Sequence, residues 1–334
     1  QSTDNPSSCL CVWSQQNSTA PFHGFNVQTN YADLGGVAFS KASKAFFLVV
    51  TAELWVSFDL GKSWSVTWKR PKEFSTVYFT DVSFSPSGEF GAVSSQFNNA
   101  TFWTEDAGKT WNFRSLDLHS GTVEKIAWLN DSYVLAVDAQ QILASTDGGT
   151  TWRAHHISSI PKQPLRAGIT TLACDVGSHC SVGFTYTTYE NQTESKFYGL
   201  KTMPGGAEQV EPGFLNISRY LAFRGNHGVG IPLQTSDGGS FTTDGGRTWS
   251  LLPMPAKLPH SPTTYTQLNA VTLTSSDQVY LVALGSLWTK REATTGRDDA
   301  DEWNEVLDTS GLSPISGCVV PFDPPKLWAI ASSD

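Results

Sequence analysis

The octapeptide Ser57-Phe58-Asp59-Leu60-Gly61-Lys62-Ser63-Trp64 returns three times in the chain. Its copies are Thr104-Glu105-Asp106-Ala107-Gly108-Lys109-Thr110-Trp111, Ser145-Thr146-Asp147-Gly148-Gly149-Thr150-Thr151-Trp152 and Thr242-Thr243-Asp244-Gly245-Gly246-Arg247-Thr248-Trp249. The shared pattern, Ser/Thr-x-Asp-x-Gly-x-Ser/Thr-Trp, is too specific to recur four times by chance. Its aspartates stand 47, 41 and 97 residues apart. The last interval is about two periods, so one repeat between has lost the octapeptide. A fixed period of about 40–50 residues marks a propeller or a solenoid.

The flanks decide between the two. Two short runs rich in Val, Phe, Ala and Leu precede each octapeptide: 36–40 and 45–51 before the first, 81–85 and 90–94 before the second. A third run, such as 54–57 or 101–104, leads into it, and a fourth leaves from its Trp. Four short strands per repeat, with no helical periodicity, is one propeller blade. The template places blades at 32–70, 76–117, 121–158, 165–212, 214–256 and 265–309. Inner strands at 317–322 and 326–332 then lack outer partners, while runs at 9–14 and 22–27 look like outer strands with nothing before them. Joining 315–334 to 9–28 predicts an all-β, seven-bladed β-propeller of four-stranded antiparallel blades, its last blade closed by N- and C-terminal strands. Closure removes the exposed sheet edges. The whole chain, 1–334, is then a single propeller domain.

Within the octapeptide the residues do local work. Gly61, Gly108, Gly149 and Gly246 supply the positive φ of a tight turn. Asp59, Asp106, Asp147 and Asp244, with the leading hydroxyls, hydrogen-bond inside that turn. Trp64, Trp111, Trp152 and Trp249 bury a large apolar face. On successive blades these carboxylates lie around a rim and do not converge, so they read as scaffold and not as a catalytic or calcium site.

The chain has 334 residues, 39% hydrophobic, 12% aromatic and 16% charged, with a net charge of −9. Charged residues usually make up about a quarter of a domain; here turns built from Gly, Ser, Thr and Asp take their place. Twelve Trp and nineteen Phe argue against disorder. The acidic balance and the lack of a basic cluster exclude a nucleic-acid partner. No apolar run approaches the roughly 20 residues needed to cross a bilayer, so no membrane insertion is expected. A chain that opens at Gln1 and shows no signal peptide is expected to be processed or trimmed.

Cys174 and Cys180 bracket a turn-rich stretch between two strand-like runs, where a hairpin brings them within disulfide reach; two buried thiols are the alternative. Closure of the ring brings Cys318 to the blade holding Cys9 and Cys11, either of which is its candidate partner. Sequons stand at Asn17, Asn99, Asn130, Asn191 and Asn216. With the paired cysteines they predict a secreted or surface glycoprotein.

The four octapeptides resemble those of the Asp-box, or bacterial neuraminidase repeat, propellers. That superfamily includes sialidases, some glycoside hydrolases, sortilin-type receptor propellers and photosystem II stability/assembly-factor propellers. Blade number is most similar to the assembly-factor group, which implies a non-enzymatic binding role. The cysteine and sequon pattern is closer to an extracellular setting, as in the sortilin-type propellers. Sialidases carry an early Phe-Arg-Ile-Pro motif. It is absent here, the nearest pieces being Phe223-Arg224-Gly225 and Gly230-Ile231-Pro232, so sialidase activity is not expected.

Propeller ligands bind where loops enter the innermost strand and join strands two and three. Those positions hold Asp33, Glu53, Asp81, Glu124 and Asp138 on the first three blades, and Arg166 and Arg219 on the fourth and fifth. An acidic half facing a basic half suits a protein or glycan ligand. A glycoside hydrolase needs two carboxylates about 5–9.5 Å apart, and Asp81 with Glu124 is the candidate pair. No nucleophile elbow, phosphate loop or His-Glu-x-x-His occurs, and His155-His156 alternate to opposite faces of an outer strand. No metal or cofactor is expected. The chain reads as a monomeric binding module, with an extracellular glycoside hydrolase as the alternative.

Overall fold

The computed structural model describes residues 34–50, 52–59, 63–74, 78–96, 100–116, 122–123, 125–137, 141–156, 166–175, 179–187, 193–202, 208–213, 218–224, 227–232, 239–244, 248–255, 268–273, 278–283, 286–291, 303–308, 313–320 and 326–332. Among them there is no α-helix, only a 3-10 turn at Lys72–Phe74. The first sheet is β1 (Leu34–Ser40), β2 (Ala45–Val50), β3 (Glu53–Ser57) and β4 (Ser65–Lys69). The second is β5 (Tyr78–Phe84), β6 (Gly91–Gln96), β7 (Ala100–Thr104) and β8 (Asn112–Ser115). The third is β9 (Lys125–Trp128), β10 (Val134–Val137), β11 (Gln141–Ser145) and β12 (Arg153–His156). The fourth is β13 (Arg166–Asp175), β14 (His179–Thr187), β15 (Thr193–Thr202) and β16 (Glu208–Gly213). The fifth is β17 (Ser218–Arg224), β18 (His227–Pro232), β19 (Gly239–Thr242) and β20 (Ser250–Leu252). The sixth is β21 (Leu268–Leu273), β22 (Gln278–Ala283), β23 (Ser286–Arg291) and β24 (Asn304–Asp308).

Every one of these six is an antiparallel meander in chain order. A two-stranded sheet follows, β25 (Ser313–Val320) paired with β26 (Lys326–Ser332). First strands lie against one another in sequence, from β1 to β5 and so on to β21, and β25 touches both β21 and β1. The expected outer strands of the last blade, 9–14 and 22–27, lie outside the described residues, as do Cys9, Cys11 and Asn17.

Burial explains why the middle strands read as unbroken apolar runs. All six residues of β2, Ala-Phe-Phe-Leu-Val-Val, are buried, as are all four of β10. Outer strands β4 and β8 are largely exposed or half-exposed. Alternation along a strand splits its side chains between two neighbours. Phe47 and Val49 of β2 join Phe79, Val82, Val93 and Phe102 of the second sheet in one cluster, while Leu48 and Val50 pack on the other face with Trp55. Ala92 and Trp103 likewise turn toward Ile126, Trp128 and Leu143 of the third sheet. Val229 and Leu252 meet Val279, Leu281 and Trp288 across the fifth and sixth. The cores therefore lie between sheets, each full burial of a large side chain contributing about 1.5–3 kcal/mol.

The octapeptide turns hold this packing in register. In the third sheet, Asp147 Oδ1 accepts from the Ser145 hydroxyl (2.7 Å) and the Thr151 N–H (2.8 Å), and Oδ2 accepts from the Thr151 hydroxyl (2.7 Å). The Gly149 N–H donates to Ser145 Oγ (2.8 Å), and the Trp152 indole donates to the Gly149 carbonyl (3.1 Å). Asp106 repeats the set with Thr104 and Thr110, and Asp59 and Asp244 repeat its carboxylate part. Gly149 has φ +85° and Gly108 φ +88°. A Cβ on Gly149 would fall 2.6 Å from the Trp103 ring of the preceding sheet; one on Gly108 would fall 2.4 Å from the Phe47 ring. The box Trp residues finish the contact, Trp152 meeting Trp103 edge-on at 5.8 Å and Trp111 meeting Phe47 at 6.2 Å. These two turns are thus spacers cut to fit the aromatic face of the sheet before; Gly61 and Gly246 lie outside the described residues.

Neighbouring first-to-second turns are also tied. The Ser40 hydroxyl donates to the Gly88 carbonyl (2.7 Å), and the Ser87 N–H donates to Asp131 (3.1 Å). Burial raises the Asp131 carboxyl, but hydrogen bonds from Ser85 and Ser87 outweigh it and lower the net value.

The two glycines of the third turn test this account. Gly148, at φ +69°, would put its Cβ in no more than ordinary van der Waals contact, 3.7 Å from the Asp131 carbonyl oxygen. Gly148→Ala should cost about 1 kcal/mol of backbone strain, and Gly149→Ala a further 1–3 kcal/mol or so for the clash with Trp103, both read by denaturant unfolding. Equal losses would contradict the spacer role.

The carboxylates make a second prediction. Hydrogen bonds led by the Thr151 hydroxyl lower Asp147 from 3.8 to about 2, and bonds led by the Ser63 hydroxyl do the same for Asp59. At Asp106 burial raises the carboxyl, and the bonds from Thr110 and Thr104 more than reverse it. A depressed folded value gives stability that is complete above the unfolded pKa and is lost as protons bind the folded state. Unfolding free energy should therefore fall as pH drops from about 4 to about 2, and Asp147→Asn should flatten that fall.

Candidate functional site

Six of the seven first strands carry an irregularity at a corresponding place. Register shifts against the second strand fall at Leu34/Val37, Phe79/Asp81, Ile169/Thr171, Ser218/Tyr220, Leu268/Ala270 and Pro314/Ser316. The remaining first strand, β9, begins at Lys125, the position where β5 emerges from its shift at Asp81. A bulge inserts a residue, sharpens the twist and re-aims side chains, and bulges concentrate beside functional sites. Here they gather at the end of the first strands where the chain enters each sheet.

Asp81 occupies this end of β5. One carboxylate oxygen accepts from the Val82 N–H (3.0 Å), and the other meets Lys125 Nζ at 3.1 Å. Gly36 of β1 makes room for it: a Cβ there would fall 1.7 Å from Asp81 Oδ1. Beside it, the Thr80 hydroxyl donates to the Val123 carbonyl (3.1 Å) and lies 2.8 Å from Ser94 Oγ. Three sheets meet at this cluster. The Asp81 side chain is 17% exposed and that of Lys125 39%. The carboxylate is therefore sunk and neutralised, while the ammonium keeps an open side with donors to spare. Such a lysine suits an anionic or carbonyl group of a ligand. The ion-paired carboxylate suits orienting that lysine better than protonating a leaving group.

The other anticipated positions are distributed as follows. Glu53 begins β3 and meets Lys69 of β4 at 2.7 Å, an ion pair on the outer half of the sheet, away from the first strands. Arg166 opens β13, and Arg219 sits at the register shift of β17. Asp33, Glu124 and Asp138 lie outside the described residues, and with Glu124 so does the Asp81–Glu124 pair. Asn99, Asn191 and Asn216 also lie outside them. Asn130 is exposed, and its Oδ1 accepts from the Ser132 (2.9 Å) and Tyr133 (2.8 Å) N–H groups. Cys174 of β13 is the direct register partner of Cys180 of β14, and Cys318 is that of Trp328. His155 and His156 take successive positions on β12.

Lys125 was missed by sequence reasoning, although one signal pointed to it: it holds the place in the third repeat that Asp81 holds in the second. Among the described residues no group of three His, Cys, Asp or Glu side chains could hold a metal ion, and no helix is long and apolar enough to cross a membrane.

No family model and no curated protein matches the chain in sequence. Solved structures do match. YCF48 bound to a D1 peptide is similar over 90% of this chain and 89% of its own, at 17% identity and a TM-score of 0.63. YCF48 from Cyanidioschyzon merolae is similar over 90% and 92%, at 16% identity and 0.60. An ancestral GH74 enzyme is similar over 91% of this chain but 44% of its own, at 13% identity and 0.57. All three are β-propellers. Likeness at this level of identity establishes fold, and this chain folds as an all-β propeller of four-stranded antiparallel sheets.

Proposed function

We propose that this chain is a secreted, non-catalytic Asp-box propeller of seven blades that binds a protein or glycan partner over the bulged ends of its inner strands. The observation that carries the reading is the Asp81–Lys125 pair seated on Gly36, which leaves a cation open at that face. In a chain of net charge −9, the inner strands carry the cations Lys125, Arg166 and Arg219 beside Asp81, with the acids Asp33 and Glu124 immediately before β1 and β9 in sequence. Contact of β25 with β1 supports a ring in which the last sheet meets the first. The match to a propeller bound to a peptide supports a protein ligand over a glycan.

A secreted setting fits the exposed Asn130. Its Oδ1 is engaged in its own turn, and a glycan there sits at the opposite end of β9 from Lys125. A glycan on Asn130 therefore leaves the Lys125 end of β9 uncovered, whereas the sequons at Asn99, Asn191 and Asn216 fall in sequence between second and third strands or just before a first strand. Glycoside hydrolysis remains the second reading because a GH74 enzyme shares the fold. Against it, Asp81 is engaged by Lys125.

Immobilised wild-type chain should capture a partner from an extracellular fraction or a glycan array. Lys125→Ala should weaken that capture about tenfold or more, equivalent to about 1.4 kcal/mol, whereas Asp147→Ala should lower Tm without changing it. Release of reducing ends from an oligosaccharide panel, lost in Asp81→Asn, would establish the hydrolase instead. Capture unchanged by Lys125→Ala would remove this face as the site.

A further inference from the structure

The fourth sheet is built differently from those that carry the octapeptide. Where the others have the Asp-x-Gly turn between third and fourth strands, it has Met203-Pro204-Gly205-Gly206-Ala207. It therefore lacks the carboxylate that locks the turn and the Trp that packs against the sheet before. Its first three strands are also longer, at 10, 9 and 10 residues. Those of the first three sheets run from 4 to 7.

The inner hairpin of this sheet supplies a substitute. Cys174 and Cys180 are direct cross-strand partners, one step from the closing pair Asp175 and His179. Directly opposed residues in an antiparallel ladder have Cα atoms about 4.5–5.5 Å apart, inside the roughly 4.4–6.8 Å span that a disulfide bridges. Cys318 has Trp328 as its register partner in a different sheet.

We propose that Cys174 and Cys180 form a cross-strand disulfide that clasps the inner hairpin of the fourth sheet in place of the missing Asp-x-Gly lock. The bridge forms by exchange with a disulfide donor such as glutathione disulfide. One S–S bond breaks in the donor and one forms in the chain; two electrons and two protons pass to the donor, which leaves as two thiols. The bridge is set in an oxidising compartment, so it depends on the secreted reading above.

Sequence makes the test direct, because no Lys or Arg lies between Arg166 and Lys196. Both cysteines therefore fall in one tryptic peptide, 167–196. The full chain, equilibrated in a glutathione buffer of secretory-pathway ratio and trapped with iodoacetamide, should yield this peptide without alkyl groups and two hydrogens lighter. Reduction should lower Tm by about 3–5 °C and speed hydrogen exchange in β13–β16 while leaving β5–β8 unchanged. Cys174→Ser/Cys180→Ser should abolish the Tm response to reductant, and Cys318→Ser should keep it.

Two alkyl groups on the peptide at that ratio would overturn the bridge. An unchanged exchange rate in β13–β16 on reduction would overturn its role as a lock. A bridge that forms in the buffer but is absent from chain trapped in its own cells would overturn both the native disulfide and the secreted reading. That last result leaves the Lys125 binding test standing on its own.

Discussion

A glycine pressed against an aromatic ring sets the spacing of this molecule. Gly149 lies where any Cβ would enter the Trp103 ring, and Gly108 stands in the same relation to Phe47. The carboxylate of the same turn, gripped by two hydroxyls and two backbone N–H groups, keeps the glycine in its left-handed conformation. Sheets so positioned interlock their apolar runs, the first with the second and the second with the third. The turn has little burial of its own, yet it decides how closely two heavily buried faces approach. Packing at near-crystalline density makes that distance matter to a fraction of an ångström.

The bulged ends of the inner strands depend on the same order. Asp81 reaches Lys125 of the third sheet and lies over Gly36 of the first only because three sheets are held in angular register. The ion pair is half open to solvent and contributes little to stability, a typical exposed pair being worth about 0–1 kcal/mol. Its consequence is positional: a sunk carboxylate fixes a lysine whose remaining donors face outward. Scaffold acids on the turns and the acid at the inner strands thus have separate duties, one intramolecular and one directed at a ligand.

Much of the fold was legible because a strand advertises burial on both faces by an unbroken apolar run, as 45–50 does, and because the octapeptide marks four of the third-to-fourth turns. The fourth repeat was found by its interval alone, and the structure gives it a four-stranded sheet. The candidate site was far less legible. Asp81 was named, but Lys125 was passed over because a loop-entry rule selects Glu124, one residue earlier. Glu53 was counted on the binding face because it follows a second-to-third turn. Cross-strand register places it in the row of Val50 and Leu34, at the entry end of β1, where it pairs outward with Lys69 of β4.

Period and composition by themselves determine that this is a repeat of short strands joined by Gly- and Asp-locked turns. They do so because period-2 burial and positive-φ turns are local properties written into neighbouring residues. Which side chains meet between sheets is not local. The contact of Gly149 with Trp103, the seating of Asp81 on Gly36 and the reach of Lys125 join residues about 45 positions apart. The inner-strand bulges that aim them arise from the fit of one twisted sheet against the next. Those relations exist only once the sheets are stacked, and only the tertiary structure decides them.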